Sequence, residues 1–241
     1  MYNMFDIKGR YSRHLLLEGI GQEGQRRIKE AKVMIVGAGG LGSPVALYLA
    51  AAGVGTIAIA DGDCVDVTNL QRQVIHATTD VDTPKVASAA RKMRDINPET
   101  KVIEIDEFLT KDRLMALAAD YDIVVDATDS YKSKYMVNDA CVEAGKPFVH
   151  GGVLCYEGNV FTHLPGTADY RDIFGPEPSA DDVPTASTAG VLGTVVGVIG
   201  TIQATEVLKF ITNVGQLLTN SILTFDSRTW EVRKVKMRRE E

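Results

Sequence analysis

The sequence predicts an α/β fold, a Rossmann-like doubly wound sheet whose parallel N-terminal half is continued by antiparallel C-terminal strands. Three observations carry that expectation. Short apolar runs alternate with segments of helical spacing over the first 150 residues, a glycine cluster GAGGLG (37–42) follows the first run, and after residue 150 strand-like segments pair through turn residues.

The elements are expected in this order. KVMIVG (32–37) is a strand, SPVALYLAAAG (43–53) a helix and TIAIAD (56–61) a second strand, which together make a βαβ unit. PKVASAARKMRDIN (84–97) has helical spacing and precedes the strand KVIEID (101–106). RLMALAAD (113–120) leads into YDIVVDAT (121–128), and SKYMVNDACVEAG (133–145), stopped by Gly145, leads into KPFVH (146–150). GGVLCYEGNVFTHLP (151–165) reads as a hairpin turning near Glu157, Gly158 and Asn159, and SILTFD with WEVRKVKM as a second strand pair. The apolar stretch 189–205, diluted by glycines, is shorter than a membrane span and is expected as a buried helix. Residues 165–187, rich in Pro, Gly, Asp and Ser, form a flexible crossover loop placed to cover a substrate.

The chain has 241 residues, 45% hydrophobic and 24% charged, which fits one globular domain over residues 1–241. A net charge of -6 argues against a nucleic-acid binder, because phosphate neutralisation needs a basic surface. No basic segment followed by an apolar one opens the chain, and Cys64, Cys141 and Cys155 form no CxxC pair. A cytoplasmic protein without a membrane segment is therefore expected, its cysteines small buried hydrophobes. His14, His76, His150 and His163 lack ligand spacing and are read as packing or surface residues.

The chemistry gathers where strands end. Gly37, Gly39, Gly40 and Gly42 lie between the first strand and its helix, where backbone without Cβ admits phosphate or ribose and a helix N-terminus favours an anion. Asp61 closes the second strand and is suited to ribose hydroxyls. Asn69, Arg72 and Gln73 follow, and Lys85 opens the next helix, so two cations and an amide converge on the glycine turn as a clamp for a polyphosphate. Asp126 and Asp129, in DATDS, offer carboxylates where Mg²⁺ could bridge protein and phosphate.

GAGGLG, DGDCVDVTNLQRQ, Lys85 and DATDS, in that order and with these gaps, resemble the E1-like adenylyltransferases of the ThiF, MoeB and HesA family. The similarity runs from RYSRHLLLEGIGQEGQRRI (10–28) to the C-terminal strands. The resemblance implies that the nucleotide is ATP, cleaved between its α- and β-phosphates with Mg²⁺. The C-terminal glycine carboxylate of a ubiquitin-like sulfur-carrier protein ending in Gly-Gly is then adenylated, in thiamin, molybdopterin or related synthesis. It further implies that Gly40, Asp61 and Asp63 contact the nucleoside end, that Thr68, Asn69, Leu70, Gln71 and Arg72 line the phosphates, and that Lys85 grips them. Asp129, beside Ser130, positions Mg²⁺, and Arg13 enters the neighbouring subunit's site in a homodimer.

The chain departs from the family in three places. Relatives often hold zinc with two CxxC pairs; the first pair's positions here read Asp169 and Asp172, and Glu241 falls where the second would begin, so no zinc is expected. Ala186 stands where relatives often have cysteine, which removes a thioester or persulfide at that position. Ser130 replaces a frequent asparagine. Three other readings remain open: a same-fold adenylyltransferase acting on tRNA or a peptide, an inactive carrier-binding subunit, and an NAD-dependent dehydrogenase, which leaves Arg72, Lys85 and Asp129 without a use.

Overall fold

The computed structural model describes residues 9–178 and 185–237. One eight-stranded sheet has the spatial order β3-β2-β1-β4-β5-β6-β7-β8. Its strands are β1 (Lys32–Val36), β2 (Thr56–Ala60), β3 (Lys101–Ile105), β4 (Ile123–Asp126), β5 (Phe148–Leu154), β6 (Glu157–His163), β7 (Ser221–Asp226) and β8 (Glu231–Lys236). The first five run parallel and the last three antiparallel to their neighbours, as expected.

The helices are α1 (Ser12–Leu15), α2 (Gly21–Glu30), α3 (Gly42–Ala52), α4 (Lys85–Ile96), α5 (Lys111–Ala118), α6 (Tyr131–Glu143), α7 (Tyr170–Phe174), α8 (Ala186–Ala189) and α9 (Gly193–Thr212). Because successive side chains of a strand point to opposite faces, β1 feeds two cores. Val33 and Ile35 join residues of α2, α3, α4 and α9, while Met34 and Val36 join α5, α6 and α7. A sheet covered on both faces needs apolar residues at every position of its central strands, which is why VMIV and IVV read as unbroken runs.

Helix α9 is long and apolar enough to cross a membrane by length and composition alone. Here it lies across the sheet, with Gly200 packed so closely on Pro44 of α3 that a Cβ would collide. Its polar side chains are tied to the strands: Gln203 donates to the Asp126 carbonyl at 2.7 Å, and Glu206 accepts from Thr162 Oγ1 at 2.6 Å and from the Leu218 N–H at 2.7 Å.

The hairpin turns earlier than its glycine suggests. Leu154 pairs with Glu157, so the turn is Cys155–Tyr156, with Cys155 at φ 52°, and Glu157, Gly158 and Asn159 belong to β6. Gly158 is there because Ile199 of α9 occupies the space a Cβ would need, a close approach that imitates a turn signal. The cysteines divide accordingly. Cys141 is buried, which pushes its thiol up, whereas Cys155 is half-buried at the turn and Cys64 is exposed, so neither is a core residue.

Part of the segment 165–187 is anchored. Asp169 caps α7 by accepting the Arg171 and Asp172 N–H groups, and the Asp172 carboxylate accepts the Asp169 N–H, a capping box at the positions of the family's first cysteine pair. The Tyr170 N–H donates to Asn138 Oδ1 at 2.8 Å, and the Tyr170 ring packs edge-on against Tyr135 of α6. Residues 179–184 of this segment, and the Ala186 side chain, lie outside the described part.

Candidate nucleotide site

A cleft opens at the carboxyl ends of β1, β2 and β4, at the point where the chain order reverses direction across the sheet. Its floor is the glycine turn. Gly37 has φ +105° and sits against the Ala127 carbonyl, where a Cβ would come within 2.6 Å; Gly42 sits against the Gly37 carbonyl with no room for one. Of the four glycines, Gly37, Gly39 and Gly40 line the cleft, and Gly42 closes the turn behind it.

Asp61, at the end of β2, accepts the Ala38 N–H at 2.8 Å and the Asp63 N–H at 2.9 Å. Burial pushes its carboxyl up despite Lys85 nearby. Lys85 is a buried cation at the first position of α4, where the helix dipole is unfavourable to it. Its Nζ is held 2.8 Å from the half-exposed Asp63 carboxylate. Arg72 donates to the Thr68 carbonyl at 3.0 Å and also lines the cleft. Gln73 is buried, and its Oε1 has no hydrogen-bond partner among the described residues, so a polar group at the cleft wall is left for a ligand or water.

The neighbouring clamp residues are turned elsewhere. Thr68 and Asn69 form the capping box of the 3₁₀ turn Val67–Asn69 with Asp66: Thr68 donates to Asp66 Oδ1 from both its N–H and its hydroxyl, and Asn69 Oδ1 accepts the Asp66 N–H at 3.2 Å. Leu70 and Gln71 likewise do not line the cleft; the Gln71 backbone packs on Gly193 at the start of α9. Ser130 caps α6, its hydroxyl accepting the Ser133 N–H at 3.1 Å, so Ser133 faces the cleft in its place.

The two aspartates of DATDS have different fates. Asp129 is exposed and lines the cleft. Asp126 is wholly buried. Burial would push its carboxyl up, but the Lys134 charge and the His150 hydrogen bond at 2.8 Å outweigh this and hold it down at about 2. With Thr128 also donating to it, Asp126 has no lone pair to spare for a metal. Among the described residues, no group of three or more His, Cys, Asp or Glu side chains could hold a metal ion. Mg²⁺ nonetheless fits at Asp129, because one or two carboxylates plus phosphate oxygens and water are its usual set.

Sequence reading did not anticipate the apolar wall of the cleft, Phe108, Leu109 and Met136. The available signal was Phe108, an aromatic residue just past a strand end, which proves 72% exposed. Nor did it anticipate Lys134, whose Nζ donates to the Thr128 carbonyl at 2.7 Å and the Gly151 carbonyl at 2.6 Å beside Asp126.

A second cavity begins where the cleft ends, sharing Asp129 and Val153 with it, and runs along the antiparallel strands past Gly152, Gly158 and Asn159 toward Arg233. Arg13 lies far from both. Tyr11, one residue before α1, packs on Gly53 and accepts from Asn97 Nδ2 at 2.8 Å, which places α1 at the amino ends of the strands, opposite the cleft.

A glycine turn at the switch point of a doubly wound sheet, faced by Arg72 and Lys85, defines a nucleotide-binding α/β protein that handles phosphate. The ThiF family matches residues 11–241, and the chain belongs to that family. It is 47% identical over 234 residues to the adenylyltransferase and sulfurtransferase MOCS3-1 of Zea mays, covering 97% of this chain and 50% of that one. It is 42% identical over 218 residues to the SAMP-activating enzyme E1 of Haloferax volcanii, covering 90% and 81%. The crystal structure of E. coli MccB with ATP superposes with a TM-score of 0.84 at 26% identity, covering 97% of this chain and 72% of that one. The chain spans about half the length of the maize proteins it matches.

Proposed function

We propose that the chain adenylates the C-terminal glycine carboxylate of a ubiquitin-like sulfur-carrier protein, using ATP and Mg²⁺ in the cytoplasm. The observation that carries this reading is the meeting of the two cavities at Asp129 and Val153. One is shaped for a nucleotide. The other runs from that junction along β5, β6 and β7 and gives an extended chain ending in glycine a course by which to bring its carboxylate to the junction. The relatives' names point the same way: adenylyltransferase and sulfurtransferase, SAMP-activating enzyme E1, probable molybdopterin-synthase adenylyltransferase.

In this reaction a carboxylate oxygen of the carrier attacks the α-phosphorus, the bond to the β-phosphate's bridging oxygen breaks, and pyrophosphate departs with its electron pair. The carboxylate is already ionised near neutral pH, so no general base is needed. Arg72 and Lys85 stabilise charge on the phosphoryl oxygens, and Lys85 exchanges part of its contact with Asp63 for them. Mg²⁺ held by Asp129 would neutralise the triphosphate.

Carrier-dependent ATP–pyrophosphate exchange against carriers ending in Gly-Gly tests the reading, with an unmodified short peptide as the competing target. Because Ala186 offers no thiol, intact mass spectrometry after incubation with ATP, Mg²⁺ and carrier is expected to show carrier plus AMP and an unmodified enzyme. A thiol-sensitive enzyme–carrier adduct would contradict this and would point to the half-buried Cys155.

The proposal includes a homodimer with Arg13 acting across the interface. Arg13 is exposed on the edge opposite its own cleft, and Leu16 and Leu17, in the turn after α1, and Tyr48 of α3 are 69%, 52% and 56% exposed. Mixing Arg13→Ala with Lys85→Ala protein is then expected to restore part of the exchange activity through hybrid dimers. Activity that stays at the level of the two separate variants would refute the shared site.

A further inference from the structure

Past Gly37, whose N–H still pairs with the Ala60 carbonyl of β2, the glycine turn is fixed by side chains, and Ala38 shows how. This residue is fully buried inside GAGGLG, and both of its backbone groups are taken by side chains from elsewhere. Its N–H donates to Asp61 Oδ2 at 2.8 Å, and its carbonyl faces His76 Nε2 at 2.9 Å. A carbonyl can only accept, so the ring carries its proton on Nε2. The other ring nitrogen, Nδ1, lies 2.8 Å from Ser88 Oγ. Ser88 contacts Asp80 Oδ2 at 2.8 Å, and Asp80 is fixed in turn by the Ala77 N–H and by Arg91.

These contacts join three pieces of the cleft. Ala38 belongs to the glycine turn, His76 ends the segment that carries Arg72 and Gln73, and Ser88 lies one turn into α4, on the helix that Lys85 opens. The ring is 7% exposed and does not line the cleft. Burial pushes the imidazole down toward its neutral form, in which Nε2–H donates to Ala38 and Nδ1 shares the single Ser88 hydroxyl proton with Asp80 Oδ2.

We infer that His76 is a positioning residue for the nucleotide: by bonding Ala38 on one side and Ser88 on the other, it sets the glycine turn at a fixed distance from Arg72 and Lys85. The inference rests on the cleft being an ATP site, and it is independent of which molecule receives the AMP. Misplacing either cation relative to the turn weakens the grip on the triphosphate and leaves the second cavity untouched.

The test is equilibrium binding of Mg·ATP to the purified chain with no carrier present, followed by KM values for ATP and for carrier in pyrophosphate exchange. His76→Leu is expected to weaken ATP binding about tenfold, the effect of losing one well-placed hydrogen bond, and to raise the KM for ATP while leaving the KM for carrier unchanged. His76→Gln, whose amide N–H can reach the Ala38 carbonyl, is expected to stay within about threefold of wild type. Equal affinity in His76→Leu and wild type, or a Gln variant as weak as the Leu variant, overturns the inference. If His76→Leu does not fold, Ser88→Ala takes its place; it keeps the imidazole but frees it from α4, and affinity unchanged from wild type would again overturn the inference. Wild-type protein that binds no ATP sinks the nucleotide site itself, whereas ATP binding without carrier-dependent exchange sinks only the carrier.

Discussion

Lys85→Ala is expected to lower carrier-dependent ATP–pyrophosphate exchange by about 100-fold or more, and Arg72→Ala by a similar factor. Both side chains face the cleft, where Lys85 pairs with Asp63 and Arg72 donates to the Thr68 carbonyl. Removing Lys85 leaves Asp63, whose side chain is 55% exposed, to be solvated by water, so the structural cost is small. The loss should therefore fall on charge stabilisation as the α-phosphate transfers. Exchange rates measured beside thermal melts separate the two effects. Near-normal exchange in both variants would remove the clamp from the mechanism, while collapsed melts would show that Lys85 is needed first for folding.

Lys134→Met is expected to have the largest effect on stability, about 3–5 kcal/mol in urea unfolding, because it strips the compensating charge from a buried carboxylate. Asp126 is 1% exposed, and Lys134 Nζ also donates to the buried Gly151 carbonyl and the partly buried Thr128 carbonyl. The double variant with Asp126→Asn should recover a large share of the loss, since the uncompensated charge goes with it. The same network predicts a pH dependence. The carboxyl of Asp126 is lowered from its ordinary 3.8 to about 2 in the folded protein. A group depressed by folding contributes stability that is present above its unfolded value and is lost as pH falls through its folded value. Wild type should thus lose stability between about pH 4 and pH 2 more steeply than Asp126→Asn. Parallel curves would show that the carboxylate is not stabilised as described.

Sheet, helices and the location of the cleft were legible in the chain because they follow from periodicity and from where strands end. Asp61, Lys85 and the glycines could be placed on one edge by counting alone. Side-chain direction could not. Asn69, Thr68 and Ser130 sit at the right edge, yet the side-chain oxygens of Asn69 and Ser130 accept nearby N–H groups and Thr68 donates to the Asp66 cap, a local competition that spacing does not reveal. Asp126 and Asp129 look equivalent in DATDS, and only the packing of Lys134 and His150 against the first separates a structural carboxylate from an accessible one. Gly158 misled in the opposite sense, since a glycine demanded by a helix on one face reads like a glycine demanded by a turn. His76 carries no motif, because its partners lie 38 residues before it and 12 after it along the chain.

The change of strand direction at β5 has an evolutionary consequence. The residues proposed to grip phosphate belong to the parallel half, whereas the walls of the second cavity come mainly from the hairpins of the antiparallel half. Under the proposed function, mutations in those hairpins can alter which carboxylate is admitted without disturbing the machinery that activates it. Inheritance of the chemistry and choice of the client are thus separable traits, with Asp129 and Val153 the narrow border where a new client must still present its carboxylate correctly.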